Sequence, residues 1–366
     1  MSKLFEEGII GGCIVKNRIV RSATEEYMAH PDGSMREECF GFFEKLAAGG
    51  CGAIVLGHAF VFTAGRCHPR MKGVHDDRMV ESFAGIKECI KNIDKRIMVI
   101  GQINHGGRLS DPEITEPVAP SAVRPRGMKT VPREMTPDEI KDTINKFADA
   151  ALRVKKAGLD GVQLHAAHGY LVSQFMSPYT NRRTDEWGGD TASRLKFPRE
   201  IIRKIIEYVG SDFPLMVKIN IADFVPGGLE PAEGLEMVSA LVDEGICAVE
   251  PSCAIAETKT INGAARPGIT DSKKEAYLLP YADALKKNTG VTVIAIGGMR
   301  SRTVMERVLE QGSVDYISMS RPLIREPDLP QKIRDGKERA DCVSCNSCFQ
   351  PGDKGVRCVF VNGGEK

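Results

Sequence analysis

The sequence predicts an α/β chain folded as a (β/α)8 TIM barrel, with a long excursion after the third strand and a short Cys-rich C-terminal segment. Three observations carry this. Eight short apolar runs alternate with eight segments that have helical length and helical period. The runs are rich in Val and Ile and apolar on both faces, as parallel strands buried under helices are. No GxGxxG follows the first run, which weighs against a dinucleotide-binding open sheet. Periodicity alone would still admit a doubly wound sheet, whose alternation is similar.

Strands are read near Arg18–Ala23, Ala53–Ala59, Ile97–Ile103 and Gly161–Ala166 in the first half of the chain. Leu215–Ile221, Ala248–Ser252, Val291–Gly297 and Val314–Ser320 complete the set. Between them helices are expected near Arg36–Ala48, Arg78–Asn92, Pro137–Ala157 and Ala192–Val209. Pro231–Glu244, Lys273–Asn288 and Ser301–Glu310 follow, with a short helix after Asp328. The helix at Pro137 has the clearest start: Thr136 as N-cap, Pro at the first helical position and Glu139 three residues on. Its end, KKAGLDGV, combines a basic last turn with a glycine stop before a buried strand. His105–Met135 is Pro- and Arg-rich and has no helical period; a stretch that long in a compact domain is usually a functional lid or excursion. It follows strand three, on the face where such barrels keep their active sites. The barrel is expected over residues 1–335 and the Cys-rich segment over 336–366.

Composition excludes several classes. The 366 residues are 42% hydrophobic and 27% charged, with a formal net charge of +1. No basic run interleaved with aromatics suggests nucleic acid. The start, MSKLFEEGII, lacks the features of a signal peptide, and no window approaches ~18 uninterrupted apolar residues. A cytoplasmic protein without membrane spans is expected. Eleven cysteines, an odd number, argue against a disulfide framework in such a chain.

The densest chemistry lies in GVQLHAAHGYLVSQFMSPYTNRRTDEWGGDTASRLKF, Gly161 to Phe197. An apolar strand ends in His165, with His168 and Tyr170 close behind. Imidazole N–H groups can hold a carbonyl or carboxylate oxygen, and a nearby phenol can deliver a proton. The pair could instead bind a metal, although no HExxH or third ligand accompanies it, or could be two satisfied histidines at a barrel rim. Gly297 and Gly298, just before the Ser301 helix, leave room for a phosphate at a helix N-terminus, and Arg321 can add a bidentate charge.

In order along the chain, NRIVRSAT, QINHGGR, HAAHGYLVSQFMSPYTNRRTDEWGG, AIGGMRS and SMSRPLIREPDL resemble the strand ends of the Old Yellow Enzyme family of FMN-dependent ene-reductases. The match runs from Leu4 to about Pro330. The resemblance implies an FMN site formed by Ala23, Thr24, Glu25, Gln102, Lys218, Gly297, Gly298, Ser320 and Arg321. It implies His165 and His168 as holders of the substrate oxygen and Tyr170 as proton donor. Reduced nicotinamide, NADH or NADPH, is the expected donor and an α,β-unsaturated carbonyl or carboxylate the expected acceptor. A non-reductive flavoenzyme oxidising an amine is the rival on the same scaffold. Members of this family often form oligomers.

Two positions depart from the family pattern. Lys218 stands where many members carry Arg, keeping the charge but losing the planar fork. At the first-strand end relatives present a small apolar residue, then Thr or Cys, to the isoalloxazine, whereas this sequence offers Ala23, Thr24 and the acidic Glu25. Against the flavin ring it would disfavour added negative charge; turned away, it would leave only backbone at Ala23 and Thr24 to touch the ring.

The tail contains Cys342, Cys345, Cys348 and Cys358, a C-x2-C-x2-C-x9-C spacing. Four thiolates so spaced can ligate an iron–sulfur cluster or a structural zinc, or stay free. The spacing resembles that of trimethylamine dehydrogenase and 2,4-dienoyl-CoA reductase, which implies a [4Fe–4S] cluster close to FMN. The last gap is shorter than theirs. The sequence also stops where they continue into nucleotide-binding domains, so relayed electrons would be exchanged with a separate electron-transfer protein.

Overall fold

A computed structural model describes residues 2–361 of the chain. Eight parallel strands form the barrel: β1 (Ile19–Arg21), β2 (Ala53–Val55), β3 (Met98–Asn104), β4 (Gly161–Ala166), β5 (Leu215–Ala222), β6 (Ala248–Cys253), β7 (Thr292–Ala295) and β8 (Tyr316–Met319). They pair in sequence order; β8 returns to β1, and β2 pairs with β3, so the sheet closes and no edge is left. Every residue of β3, β4, β5 and β6 is buried, because one face meets the barrel interior and the other the helices.

The main helices are α1 (Glu37–Ala48), α2 (Met79–Ile93), α3 (Pro137–Lys156), α4 (Thr191–Val209), α5 (Pro231–Val242), α6 (Leu279–Thr289), α7 (Arg302–Glu310) and α8 (Leu329–Arg334), with two shorter ones at Leu171–Met176 and Arg321–Arg325. α3 carries the expected capping box: Glu139 N–H donates to Thr136 Oγ1 at 3.2 Å and Thr136 N–H to Glu139 Oε2 at 2.8 Å. α6 begins six residues later than periodicity suggested. Pro280 suits its first turn, where no N–H is needed, and upstream Glu275 is turned inward to accept the amides of Arg300 and Ser301, both at 2.8 Å.

A hairpin of Gly8–Ile10 and Cys13–Val15 precedes the barrel, turning at Gly11 and Gly12 with φ of 53° and 82°. A two-residue turn with both φ positive suits glycine, and the G-G pair was a usable hairpin signal in the sequence. Ile10 and Val15 join Val20, Val55, Met98 and Ile100 in the apolar lower interior of the barrel. Burying each contributes about 1.5–3 kcal/mol. Higher up, the interior turns polar: Gln102 lies beside Gln163 on β4, and Lys218 between His165 and Glu250. Polar side chains therefore face the carboxyl ends of the strands, where the site forms.

The excursion after β3 includes a two-residue parallel pair, Val118–Ala119 with Arg133–Glu134. The tail does not stand apart from the barrel. Ala340, Cys348 and Val356 belong to its main core, and Val356 N–H donates to Glu26 O at 2.8 Å.

Candidate active site

The carboxyl ends of the strands open into a cavity of about 340 Å³, within the range usual for small-molecule sites. His165, His168 and Tyr170 lie on its wall. The His165 ring centroid is 5.1 Å from that of His168 and 4.8 Å from that of Tyr170. Sequence proximity alone would not achieve this. β4 delivers His165 pointing inward, and the chain then turns through His168 at φ 62° and Gly169 at φ 77° into the short helix Leu171–Met176. The strained His168 backbone is held by its N–H donating to Asn220 Oδ1 at 3.0 Å.

Burial holds both imidazoles below the range in which they take a second proton. Ala167 N–H donates to His165 Nδ1 at 3.2 Å, which places the ring proton on Nε2. Burial, reinforced by His168, His58 and Lys218, holds His165 well below the usual imidazole range. Burial and then Lys218 and His58 bring His168 down to about 3; its Nε2 lies 2.7 Å from Ser252 Oγ. Burial pushes the Tyr170 phenol well above its ordinary value, so it keeps its proton.

Ala23, Thr24 and Glu25 line the cavity from the first-strand end. Thr24 Oγ1 lies 2.8 Å from Ser320 Oγ, joining the ends of β1 and β8. Glu25 is engaged by two histidines: Oε2 is 2.9 Å from His58 Nε2 and Oε1 is 3.7 Å from His68 Nε2. Burial alone would raise its carboxyl, but Lys72 and the His58 hydrogen bond outweigh that and hold it at about 2. His58 also meets Asn104 through Nδ1 at 2.7 Å, and its ring lies 5.1 Å from Tyr170. On the floor, Gln102 Nε2 donates to Gln163 Oε1 at 2.7 Å, and Lys218 Nζ lies 2.8 Å from Ser22 Oγ and 3.3 Å from Glu250.

The far end is built by Gly298, Ser320 and Arg321. Gly298 has φ 78°, and a Cβ there would meet the Tyr277 ring at 3.0 Å. Gly297 is not on the wall; it packs under Tyr277 and serves the turn. The start of α7 also differs from the expected open helix N-terminus: the amides of Arg300 and Ser301, just before the helix, donate to the buried Glu275 carboxylate, and its first amide, Arg302 N–H, donates to Glu338 O at 2.8 Å. A phosphate here would rely on Gly298, Ser320 and Arg321 instead. Arg321 is shared: one nitrogen donates to Arg266 O at 2.9 Å and to Asn346 of the tail.

The chemistry of these groups fits FMN. A buried amide and ammonium suit the polar edge of the isoalloxazine, a glycine and an arginine suit the phosphate, and two imidazoles and a phenol remain for a substrate. Cys342, Cys345, Cys348 and Cys358 line a second, smaller pocket on the other side of Arg321. Among the described residues no three His, Cys, Asp or Glu are gathered as a single metal ion would hold them.

Sequence reasoning missed His58, Tyr27, Ser252 and Phe349 on the cavity wall, and Glu250 beneath it. His58 had a signal. It follows β2 at the strand's carboxyl end, the position where barrel residues face the active site. Phe349 had none, because only the folded tail brings it there.

The sequence pattern of the NADH:flavin oxidoreductase / NADH oxidase family matches residues 3–340. The chain is 36% identical over 351 residues to an NADH oxidase of Thermoanaerobacter brockii, covering 94% of this chain and 52% of that protein. It is 31% identical over 331 residues to an NADPH dehydrogenase of Bacillus pumilus, covering 90% and 94%. A solved 2-naphthoyl-CoA reductase in complex with 2-naphthoyl-CoA superposes with a TM-score of 0.87 at 28% identity, over 95% of this chain and 54% of that one. The chain thus spans about half the length of the first curated relatives it matches.

Proposed function

The chain belongs to the NADH:flavin oxidoreductase / NADH oxidase family, and from that premise we propose that it reduces the C=C bond of α,β-unsaturated carbonyl compounds. FMN, when bound, supplies the hydride-carrying chemistry, with NAD(P)H as the reductant. His165 Nε2–H and the His168 imidazole hold the substrate carbonyl oxygen and stabilise the negative charge that develops there during reduction. Tyr170 holds the proton that reaches the α-carbon. Gln102 and Lys218 would hold the flavin's polar edge, Ala23 and Thr24 would offer backbone to its ring, and Gly298, Ser320 and Arg321 would hold its phosphate. Glu25, tied to His58, acts on the ring only through its charge.

The observation that carries this reading is the convergence of two imidazoles and a phenol on one wall of a cavity. Tyr170→Phe tests it in separated half-reactions. Alkene reduction should slow by ~10²-fold or more, while flavin reduction by NAD(P)H stays near the wild-type rate. Equal losses in both halves would defeat the assigned role.

We further propose that the four tail cysteines hold a [4Fe–4S] cluster that passes single electrons to or from the flavin. The support is the C-x2-C-x2-C-x9-C spacing and the four cysteines lining one pocket, with Arg321 between it and the cavity. After strictly anaerobic purification, iron and acid-labile sulfide should each approach four per chain. Zinc, or neither metal, would end this part of the proposal. A separate electron-transfer partner stands or falls with it.

A further inference from the structure

Glu250 is fully buried, does not line the cavity, and is nonetheless the point at which the cavity's floor converges. Its Oε1 accepts from Ser22 Oγ at 2.6 Å, Ser318 Oγ at 2.8 Å and Lys218 Nζ at 3.3 Å. Its Oε2 accepts from Gln163 Nε2 at 3.2 Å. All four neighbours donate, so the group is satisfied as a carboxylate and needs no proton of its own. The donors come from the residue just after β1 and from β8, β5 and β4. One anion thus joins half the strands of the barrel beneath the site.

Two consequences reach the cavity. The first is polarity. A carboxylate only accepts, so Gln163 must turn its NH2 toward Glu250 and its Oε1 toward Gln102. Gln102 must then donate its NH2 to Gln163, at 2.7 Å, which leaves its own Oε1 as the acceptor offered to a ligand. Two amides that could each flip are fixed in series by one charge. The second is charge. Lys218 is 3% exposed, and its ammonium is balanced by an anion beside it before any ligand enters. The floor therefore presents an acceptor and a donor while its net charge is close to zero.

We propose that Glu250 is a positioning residue that fixes the amide polarity of Gln102 and offsets the charge of Lys218, thereby keeping the reduction potential of bound FMN low. The inference rests on the FMN reading of the cavity. An uncompensated lysine would favour the reduced flavin, which carries more negative charge than the oxidised form. Glu250 withholds part of that stabilisation and so leaves the reduced cofactor a stronger donor.

The test is redox titration of the FMN-loaded protein, together with dissociation constants for oxidised FMN. In Glu250→Gln the ratio of affinities for reduced over oxidised FMN should rise at least tenfold, an upward shift of ~30 mV for a two-electron couple. Oxidised FMN should also bind more weakly, because the Gln163 and Gln102 amides are no longer oriented. Glu250→Asp should move the potential back toward wild type, which a loss of packing alone would not do. If Glu250→Gln does not fold, the comparison is made between Lys218→Gln and Lys218→Gln/Glu250→Gln. The double variant buries no lone charge, and the same upward shift is expected from removing the anion. An unchanged or lowered potential in a folded, flavin-loaded variant overturns the proposal. A wild-type protein that binds no FMN overturns the reading beneath it instead.

Discussion

Loss of water sets the chemistry of single residues in this molecule. Burial is the leading cause that holds His165 and His168 below the imidazole range, His168 to about 3, and the same holds for His105 at about 3 and His68 at about 4. Each takes a proton near 6.5 when unfolded but only far below that when folded. The unfolded chain therefore binds more protons throughout the interval, and stability falls as pH drops through it. Each group can contribute up to about 1.4 kcal/mol per pH unit inside its window. Depressed carboxylates such as Glu25 add to the loss only below their ordinary value of 4.5, so the fall between pH 6.5 and 4.5 belongs to the histidines. Calorimetry should show Tm decreasing steadily over that range; a flat Tm would mean that the imidazoles are solvated or already charged. The residue types of the wall could be read in the sequence, because His165, His168 and Tyr170 sit within six residues of a strand end. Their neutrality could not, since it comes from surroundings contributed by other strands. Lys218 makes the same point. Its charge is plain in the sequence, and its balance by Glu250 is not.

At the scale of elements, the excursion after β3 is an ordered arm fastened at both ends. Arg108, with its side chain wholly buried, makes a bidentate pair with Glu257 at 2.9 and 2.6 Å, tying the start of the excursion to the loop after β6. Arg183 donates to the carbonyls of Pro120 at 3.1 Å and Met135 at 2.6 Å, holding its middle and end. Glu257→Ala would leave a buried guanidinium without its partner, a loss of about 3–5 kcal/mol. Tm should drop accordingly, and proteolysis within 105–135 should quicken. Unchanged Tm and cleavage would mean that the pair does not anchor the arm. The helices with local signals were found where the sequence put them, α3 above all, because a capping box is complete within four residues. α6 was misplaced because the group that ends the preceding loop, Glu275, bonds amides 25 and 26 residues ahead. No local window contains that information.

For the whole molecule, the barrel and the cysteine segment form one packed body. Arg321 touches both the cavity and the cysteine pocket, Phe349 of the tail lines the cavity, and Asn346 Nδ2 donates to Ala265 O at 2.9 Å, on the loop that borders the cavity. Any group held by the cysteines would share a wall with the flavin site. The sequence by itself determined the barrel and the end of it that carries the chemistry. Alternation of buried strands with amphipathic helices is a local pattern, and the reactive residues lie at strand ends that the pattern locates. It also located the four cysteines by their spacing. Only the tertiary structure decided which groups meet: His58 with Glu25, Glu275 with the start of α7, and Glu250 with Ser22, Gln163, Lys218 and Ser318. Closing a barrel brings together strands that are up to hundreds of residues apart. Hydrogen bonds and charges act over a few ångströms of space, so their partners are fixed by that closure and not by distance along the chain.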